Sequence, residues 1–372
     1  MGIKNLRSLI EKYANDAVTE VHLNTFKNKV VAIDTSIYMY KIKHSNNNKF
    51  IEGFIKQLIR LLRNQIIPLY IFDGKPPPEK SLVLVDRKTQ KKVLKAKIIK
   101  VEDLIIKARK EPDILKDIQK YNVKIIKNHK VITEPCTIKD LEEECQKLRK
   151  RDISVTWQDF ETLKLVFTKL GIPYITSNGE AEELCAKLCK QNIVHACMSA
   201  DMDCLPFGAC KFLRNFSMNK NYITQIDLSV LLEKLEVTHD QFIDICILSG
   251  CDYCSKIFGI GCVKAHKLIK KYGDIETMIP NIKNKIPDDF TKGYEKAREL
   301  FKCDYENIET YNDSIILSEI DPVIIEVLII NNVSEKTIKT VENSFQKYYN
   351  KIKTQIHNQM TEVTEMSETS LP

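Results

Sequence analysis

The chain has 372 residues, 43% hydrophobic and 29% charged, with a formal net charge of +7. That length accommodates about two domains with a substantial core, and no apolar run reaches the ~18 residues of a membrane-spanning helix. The N-terminus lacks a signal-peptide apolar core, Leu6 stands where a myristoylation motif needs Ser or Thr, and twelve cysteines without a secretory signal fit reduced thiols in an intracellular protein.

In chain order, residues 1–12 read as a helix with Ile3, Leu6, Leu9 and Ile10 on one face. Val30-Val31-Ala32-Ile33 is a buried strand ending in Asp34. Asn46-Asn47-Asn48 is a loop. Phe50 to Arg63 is an amphipathic helix, and Pro68 to Phe72 is a second buried strand, ending in Asp73. Strand, helix, strand with an acid at each strand end is the βαβ pattern of a parallel sheet. Ligands of such sheets bind beyond the carboxyl ends of the strands.

From Arg87 to Lys100 there are seven basic residues and no acid. Lys88, Lys91, Lys92 and Lys95 share one helical face, beside an apolar stripe of Leu94, Ile98, Val101 and Ile105. This face is either simply solvated or a phosphate-binding surface. Lys80 and Arg87 lie on one face if the helix already runs from Lys80. From Glu111 to Asp159 the chain is mixed in charge and poor in aromatics, helical or partly mobile rather than core. Trp157 to Leu170 is a helix closed by Gly171.

Next come two pairs of acids about twenty residues apart. Glu180 and Glu182 open a helix, where its dipole tolerates carboxylates. Ile193 to Met198 reads as a buried strand, and Asp201 and Asp203 follow it. In extended chain the i, i+2 spacing points both side chains to one side. Topology sends Asp34, Asp73, Asp201 and Asp203 to one sheet edge. Either pair taken alone could be solvated loop acids. Converging carboxylates call for a cation between them, and a hard divalent ion takes oxygen ligands. The Cys251-x-x-Cys254 pair has no companion pair for zinc and reads as core or near-site cysteine.

A strand pair follows around Phe212-Leu213-Arg214 and Tyr222-Ile223-Thr224. A helix capped at Thr238 runs to Leu248, and Asp252 lies just beyond. Gly259-Ile260-Gly261 then opens a helix bearing Lys264, Lys267, Lys270 and Lys271. A glycine turn at a helix N-terminus offers free N–H groups to an anion, and with these lysines it suits a phosphate backbone. Helix-turn packing alone would explain the glycines too. Residues 287–350 are helical, and residues 361–372 are polar and read as disordered.

At this point a family resemblance emerges. Gly2-Ile3-Lys4-Asn5-Leu6, Ala32-Ile33-Asp34, Phe72-Asp73-Gly74-Lys75-Pro76-Pro77 and Gly171-Ile172-Pro173-Tyr174 occur in the order of the flap endonuclease family, the structure-specific 5′ nucleases of the xeroderma-pigmentosum-G type. Glu180-Ala181-Glu182, Asp201-Met202-Asp203-Cys204-Leu205, Leu248-Ser249-Gly250-Cys251-Asp252-Tyr253 and Gly259-Ile260-Gly261 continue the series. The resemblance implies an α/β fold: a parallel-sheet, PIN-like 5′-nuclease core with a helical arch insertion and a C-terminal helix–two-turn–helix region. The expected division is 1–87 and 158–235 for the core, 88–157 for a basic, partly mobile insertion, 236–350 for the DNA-binding helices, and 351–372 for a disordered tail.

The resemblance further implies metal ligands at Asp34, Asp73, Glu180, Glu182, Asp201, Asp203 and Asp252. It implies basic groups near the scissile phosphate at Lys80 and Arg87, two Mg²⁺ ions (replaceable by Mn²⁺), and a monovalent cation, potassium, at the Gly259–Gly261 turn. DNA contacts are expected from Lys88, Lys91, Lys92, Lys95, Gly259, Gly261, Lys264 and Lys267. The implied partner is flapped or branched DNA, met by a monomer in the nucleus, or in the host nucleus or cytoplasm for a large DNA virus, a source that the Lys-, Ile- and Asn-rich usage suggests. Gln346-Lys347-Tyr348-Tyr349 does not fit the sliding-clamp motif. The insertion is longer than a typical arch, and the Asn46 to Asn48 loop is short where the family places a wedge. A 5′ exonuclease, a junction resolvase or a non-catalytic DNA-binding scaffold are the other readings.

Overall fold

The computed structural model describes residues 2–45, 49–121, 125–127, 130–132, 136–302, 315, 317–345, 347, 348 and 350. The Asn46 to Asn48 loop, the 361–372 tail, and residues 346 and 349 of the stretch compared with the clamp motif lie outside the described residues. The chain divides into two compact units: residues 1–42, 46–80 and 156–372 form one, and residues 43–45 and 81–155 the other.

The strands in chain order are β1 (Val18–His22), β2 (Val30–Asp34), β3 (Ile67–Phe72), β4 (Ile125–Lys127), β5 (Lys130–Ile132), β6 (Tyr174–Thr176), β7 (Ala196–Met198), β8 (Lys211–Arg214) and β9 (Tyr222–Asp227). Seven belong to the first unit and form one sheet in the order β1-β9-β8-β7-β2-β3-β6. Its centre is parallel: β2 pairs with β3 and β7, β3 with β6, and β7 with β8. β9 and β1 add an antiparallel edge. Every residue of β3 is buried, as are all but the first of β2. Strands covered on both faces read as continuous apolar runs, and these two do.

The βαβ reading holds: the helix Phe50–Arg63 connects β2 to β3 over the expected residues. Its Phe54 meets Tyr70 of β3 and Phe167 of the helix Trp157–Lys169, and the Tyr70 and Phe167 rings stack with centroids 4.2 Å apart. The strand expected from Ile193 is confined to Ala196–Met198. The N-terminal helix spans Leu6–Tyr13, with Leu6, Leu9 and Ile10 buried. Thr238 caps the helix His239–Ser249 by accepting from the Gln241 N–H.

The second unit has its own core. In the 30-residue helix Ser81–Lys110, Ile98, Val101, Leu104 and Ile105 pack with Leu141, Cys145 and Leu148 of the helix Ile138–Arg151. The apolar stripe read from the sequence is thus a helix-packing face. β4 and β5 form an antiparallel hairpin in the same unit.

Within the first unit, Glu52 joins the helix Phe50–Arg63 to the helix Glu335–Thr340 region. Its side chain, 3% exposed, accepts from Ser334 Oγ (2.7 Å), Thr337 Oγ1 (3.0 Å) and Lys56 Nζ (2.7 Å). Burial pushes this carboxyl up, but these hydrogen bonds and the Lys56 charge outweigh it and hold the pKa at about 2, below its ordinary 4.5. A depressed carboxylate stabilises fully above its unfolded pKa and loses that contribution as pH falls through its folded pKa. Glu52→Gln is expected to destabilise the protein by about 2 kcal/mol at pH 7, by loss of charged hydrogen bonds. Denaturant unfolding checks this: the gap between wild type and variant should be full above roughly pH 5 and close as pH approaches 2.

Candidate active site

All four parallel strands that precede acids point the same way, so the sheet gathers the acids at one edge. Asp34 is the last residue of β2, Asp73 follows β3, Glu180 and Glu182 follow β6, and Asp201 and Asp203 follow β7. Asp252 arrives differently, just past the helix His239–Ser249. Asp34, Glu180 and Asp203 are buried, whereas Asp73 is exposed.

Most of these acids are oriented by specific donors. Asp34 accepts from Ser199 Oγ (2.8 Å) and the Ile37 N–H (3.3 Å). Asp73 accepts from the Ala181 N–H at 2.8 Å, the first residue of the helix Ala181–Lys190. The loops behind them are tied by the Gly74 N–H donating to Gly179 O at 2.8 Å. Asp203 accepts from the Ile3 N–H at 2.7 Å, and Asp201 from the Met202 N–H at 2.7 Å. Glu180 accepts from the Tyr253 hydroxyl on one oxygen and from the Lys80 ammonium on the other. Lys80 Nζ also lies 3.6 Å from Asp252 Oδ2.

Confining this much negative charge leaves a signature. Burial, then repulsion from Asp73, pushes the Asp34 carboxyl up to about 7 despite its hydrogen bond from Ser199. Glu182 is pushed well up by burial and by Asp34 and Asp203, and Asp203 by burial and Asp201. Burial would depress Lys80, but Glu180, Glu182 and Asp252 overcome it and hold the ammonium pKa at about 12. Among the described residues, no three His, Cys, Asp or Glu side chains close around a single ion. An open array of hard oxygen donors that repel one another suits ions that keep most of their own water and take one or two carboxylates each. The donor set therefore fits hard divalent cations, and Cys251 and Cys254 form no part of such a cluster.

Lys80 closes the short 3-10 turn Pro78–Lys80, and the α-helix starts at Ser81. Lys80 and Arg87 therefore do not share one helical run. Arg87, Lys88, Lys91, Lys92 and Lys95 all lie on the helix Ser81–Lys110 of the second unit; Lys88, Lys92 and Lys95 are exposed, and Arg87 and Lys91 half-buried. Gly259 has φ +80°, a left-handed turn that glycine favours. Gly261 caps the helix Cys262–Tyr272 with extended backbone, and a Cβ there would meet nothing within 4 Å. Lys264 and Lys267 stand exposed on that helix, Lys264 Nζ donating to Asn284 Oδ1 at 3.3 Å.

Three orienting groups escape a reading of the sequence. Ser199 has one signal, a polar residue at a strand end two before Asp201. Tyr253 is adjacent to Asp252, but its reach to Glu180 is set by the fold. The Ile3 N–H and the close approach of Gly2 depend wholly on tertiary placement. A Cβ on Gly2 would sit 1.8 Å from Asp201 Oδ1 and 2.5 Å from Asp203 Oδ1.

A parallel sheet whose carboxyl edge is lined with acids and rimmed by a lysine, followed by a glycine-turned, lysine-bearing helix, defines a nuclease of the acid-lined class. The family models for the XPG N-terminal domain and the XPG I-region match residues 1–93 and 171–252. Flap endonuclease 1 of Zea mays is 34% identical over 322 residues, covering 81% of this chain and 75% of that protein. Flap endonuclease 1 of Heterostelium pallidum is likewise 34% identical, with 81% and 74% covered. Among solved structures, flap endonuclease-1 from Methanococcus jannaschii superposes with a TM-score of 0.60 at 24% identity, covering 91% of this chain and 97% of that one. The catalytic core of Rad2 in complex with DNA substrate gives 0.61 at 20% identity, with 91% and 98% covered. The chain belongs to the flap endonuclease family.

The Gly2 contact yields a direct check. Gly2→Ala must displace Asp201 or Asp203 and also adopt an unfavourable positive φ. Nuclease activity is expected to fall at least about tenfold, from misplacement of about an ångström at the acids, with little change in melting temperature. Cleavage rates and thermal unfolding, measured together, check both.

Proposed function

We propose that this protein is a structure-specific endonuclease that hydrolyses DNA phosphodiesters at 5′ flaps and related branched junctions, with Mg²⁺ as its cofactor. The observation that carries this reading is the seven-acid edge with Lys80 seated in it. Asp34, Asp73, Glu180, Glu182, Asp201, Asp203 and Asp252 would hold two Mg²⁺ ions, replaceable by Mn²⁺, some of them through water. Bound divalent ions supply an activated water and Lewis-acid stabilisation of phosphate oxygens.

The chain's own residues do the rest. The Ser199 hydroxyl and the Ile37 and Ile3 N–H groups fix the rotamers of Asp34 and Asp203, so the acids need no reorganisation when a phosphate arrives. Lys80, held charged across the neutral range, offsets negative charge on the phosphate. Arg87 adds a second cation in this reading, and Lys88, Lys91, Lys92 and Lys95 extend the basic helix face for the single strand. The Gly259–Gly261 turn, with Lys264 and Lys267, grips the duplex by its backbone, which favours shape over sequence. The left-handed turn at Gly259 is where we assign a monovalent cation, potassium. A monomer acting on nuclear DNA, or on host-nuclear or cytoplasmic DNA of a large virus, in replication, repair or recombination completes the proposal.

The test is cleavage of labelled 5′-flap, nicked and four-way-junction DNA by wild type and Asp201→Ala, in Mg²⁺ and in EDTA. Cutting near the flap base that needs Mg²⁺, and falls at least about 10³-fold in the variant while DNA binding persists, is the expected result. Wild-type rates in the variant would remove Asp201 from the metal site. Binding without cutting on every substrate would point to a DNA-binding scaffold instead.

A further inference from the structure

Away from the acid edge, two thiols meet at the opposite end of the helix Ala181–Lys190. Cys189 sits in the last turn of that helix and Cys210 in the residue before β8. The two thiols are close enough to interact, each being the largest influence on the other's acidity. Cys189 Sγ also lies 3.9 Å from the carbonyl oxygens of His195 and Lys211, and is buried, while Cys210 is exposed. Both line a cavity of about 280 Å³ with Asn28, Lys29, Asn192, His195 and Lys211. A second thiol pair, Cys197 and Cys204, interacts in the same way, but both residues are fully buried.

The neighbouring Cys189 side chain favours the Cys210 thiolate. Its interaction, helped by the Lys190 charge, outweighs burial and the opposing charge of Asp227, and brings Cys210 down to about 6. Cys189 is pushed up, first by that same interaction and then by burial. Lys29 and Lys211 add positive charge to the cavity wall. An accessible thiolate beside a protonated thiol is the arrangement in which one sulfur attacks and the other resolves.

We propose that Cys189 and Cys210 form a reactive dithiol that a peroxide converts to an intramolecular disulfide. The Cys210 thiolate attacks one peroxide oxygen, breaking the O–O bond, and becomes a sulfenic acid as hydroxide leaves. The Cys189 sulfur then attacks the Cys210 sulfur, and its proton leaves with the expelled oxygen as water. Two thiols and one hydrogen peroxide give one disulfide and two waters; the sulfurs are oxidised and the peroxide reduced. The bond would tie the end of the helix that begins at Glu180 and Glu182 to the start of β8. This proposal does not rest on the nuclease reading.

The test treats the full chain with stoichiometric hydrogen peroxide under native conditions, followed by intact mass, differential alkylation and peptide mapping. Loss of two hydrogens, a peptide joined at Cys189 and Cys210, and a melting temperature higher by about 2–5 °C, reversed by dithiothreitol, are expected. Cys210→Ser, at an exposed position, should fold normally and show none of these changes. A Cys210 that remains alkylatable, or gains oxygen as sulfinic acid while Cys189 stays a thiol, would overturn the proposal. So would a disulfide mapped to Cys197 and Cys204.

Discussion

Electrostatic repulsion among buried carboxylates is the constraint around which the first unit is built. Asp34, Glu182 and Asp203 are pushed upward by burial and by neighbouring acids, so folding brings together groups that would separate if free. Such clustering persists where the surrounding structure over-determines it, and strain of this kind collects at functional sites. Here the parallel sheet does that work, because strand direction alone delivers the acids to one edge. Lys80 relieves part of the repulsion through Glu180 and Asp252. A divalent cation is the natural complement for the remainder.

The orienting donors follow from the same constraint. A buried carboxylate without hydrogen bonds is costly, and nearly every acid of the edge has a fixed donor: Ser199 for Asp34, the Ala181 N–H for Asp73, the Ile3 N–H for Asp203, Tyr253 for Glu180. Several come from chain segments distant in sequence. The N-terminal segment is thereby drawn into the site, and Gly2 has no room for a side chain there. The Tyr253 hydrogen bond to Glu180 and the contact of Asp252 with Lys80 also tie the residues before the glycine turn to the acid edge.

Much of this was legible in the sequence because it is periodic or local. β2 and β3 are unbroken apolar runs, and the acids after them are placed by topology, so the edge could be read without coordinates. β1 was not expected: Val18–His22 is an edge strand with exposed polar residues, and it lacks the apolar run that marks a central one. Lys80 and Arg87 do not share one helical face because a 3-10 turn ends at Lys80 and the α-helix begins at Ser81. The charged stretch after Glu111 looks like surface because it lacks a long apolar run, yet Leu141, Cys145 and Leu148 are spaced for one helix face and are buried in a core of their own. Ser199 and Tyr253 were not singled out because their roles exist only once distant segments meet.

The most direct measurement is thermal unfolding of wild type and Asp34→Asn, each in EDTA and in excess Mg²⁺. Asparagine keeps the shape and most hydrogen bonds of Asp34 while removing its charge. If repulsion at the acid edge is offset by bound cations, the variant unfolds at a higher temperature than wild type in EDTA, by about 2–4 °C. Mg²⁺ then raises the wild type by mass action and raises the variant much less. A variant less stable than wild type in EDTA, with neither protein responding to Mg²⁺, would contradict the idea that these acids are assembled to hold metal.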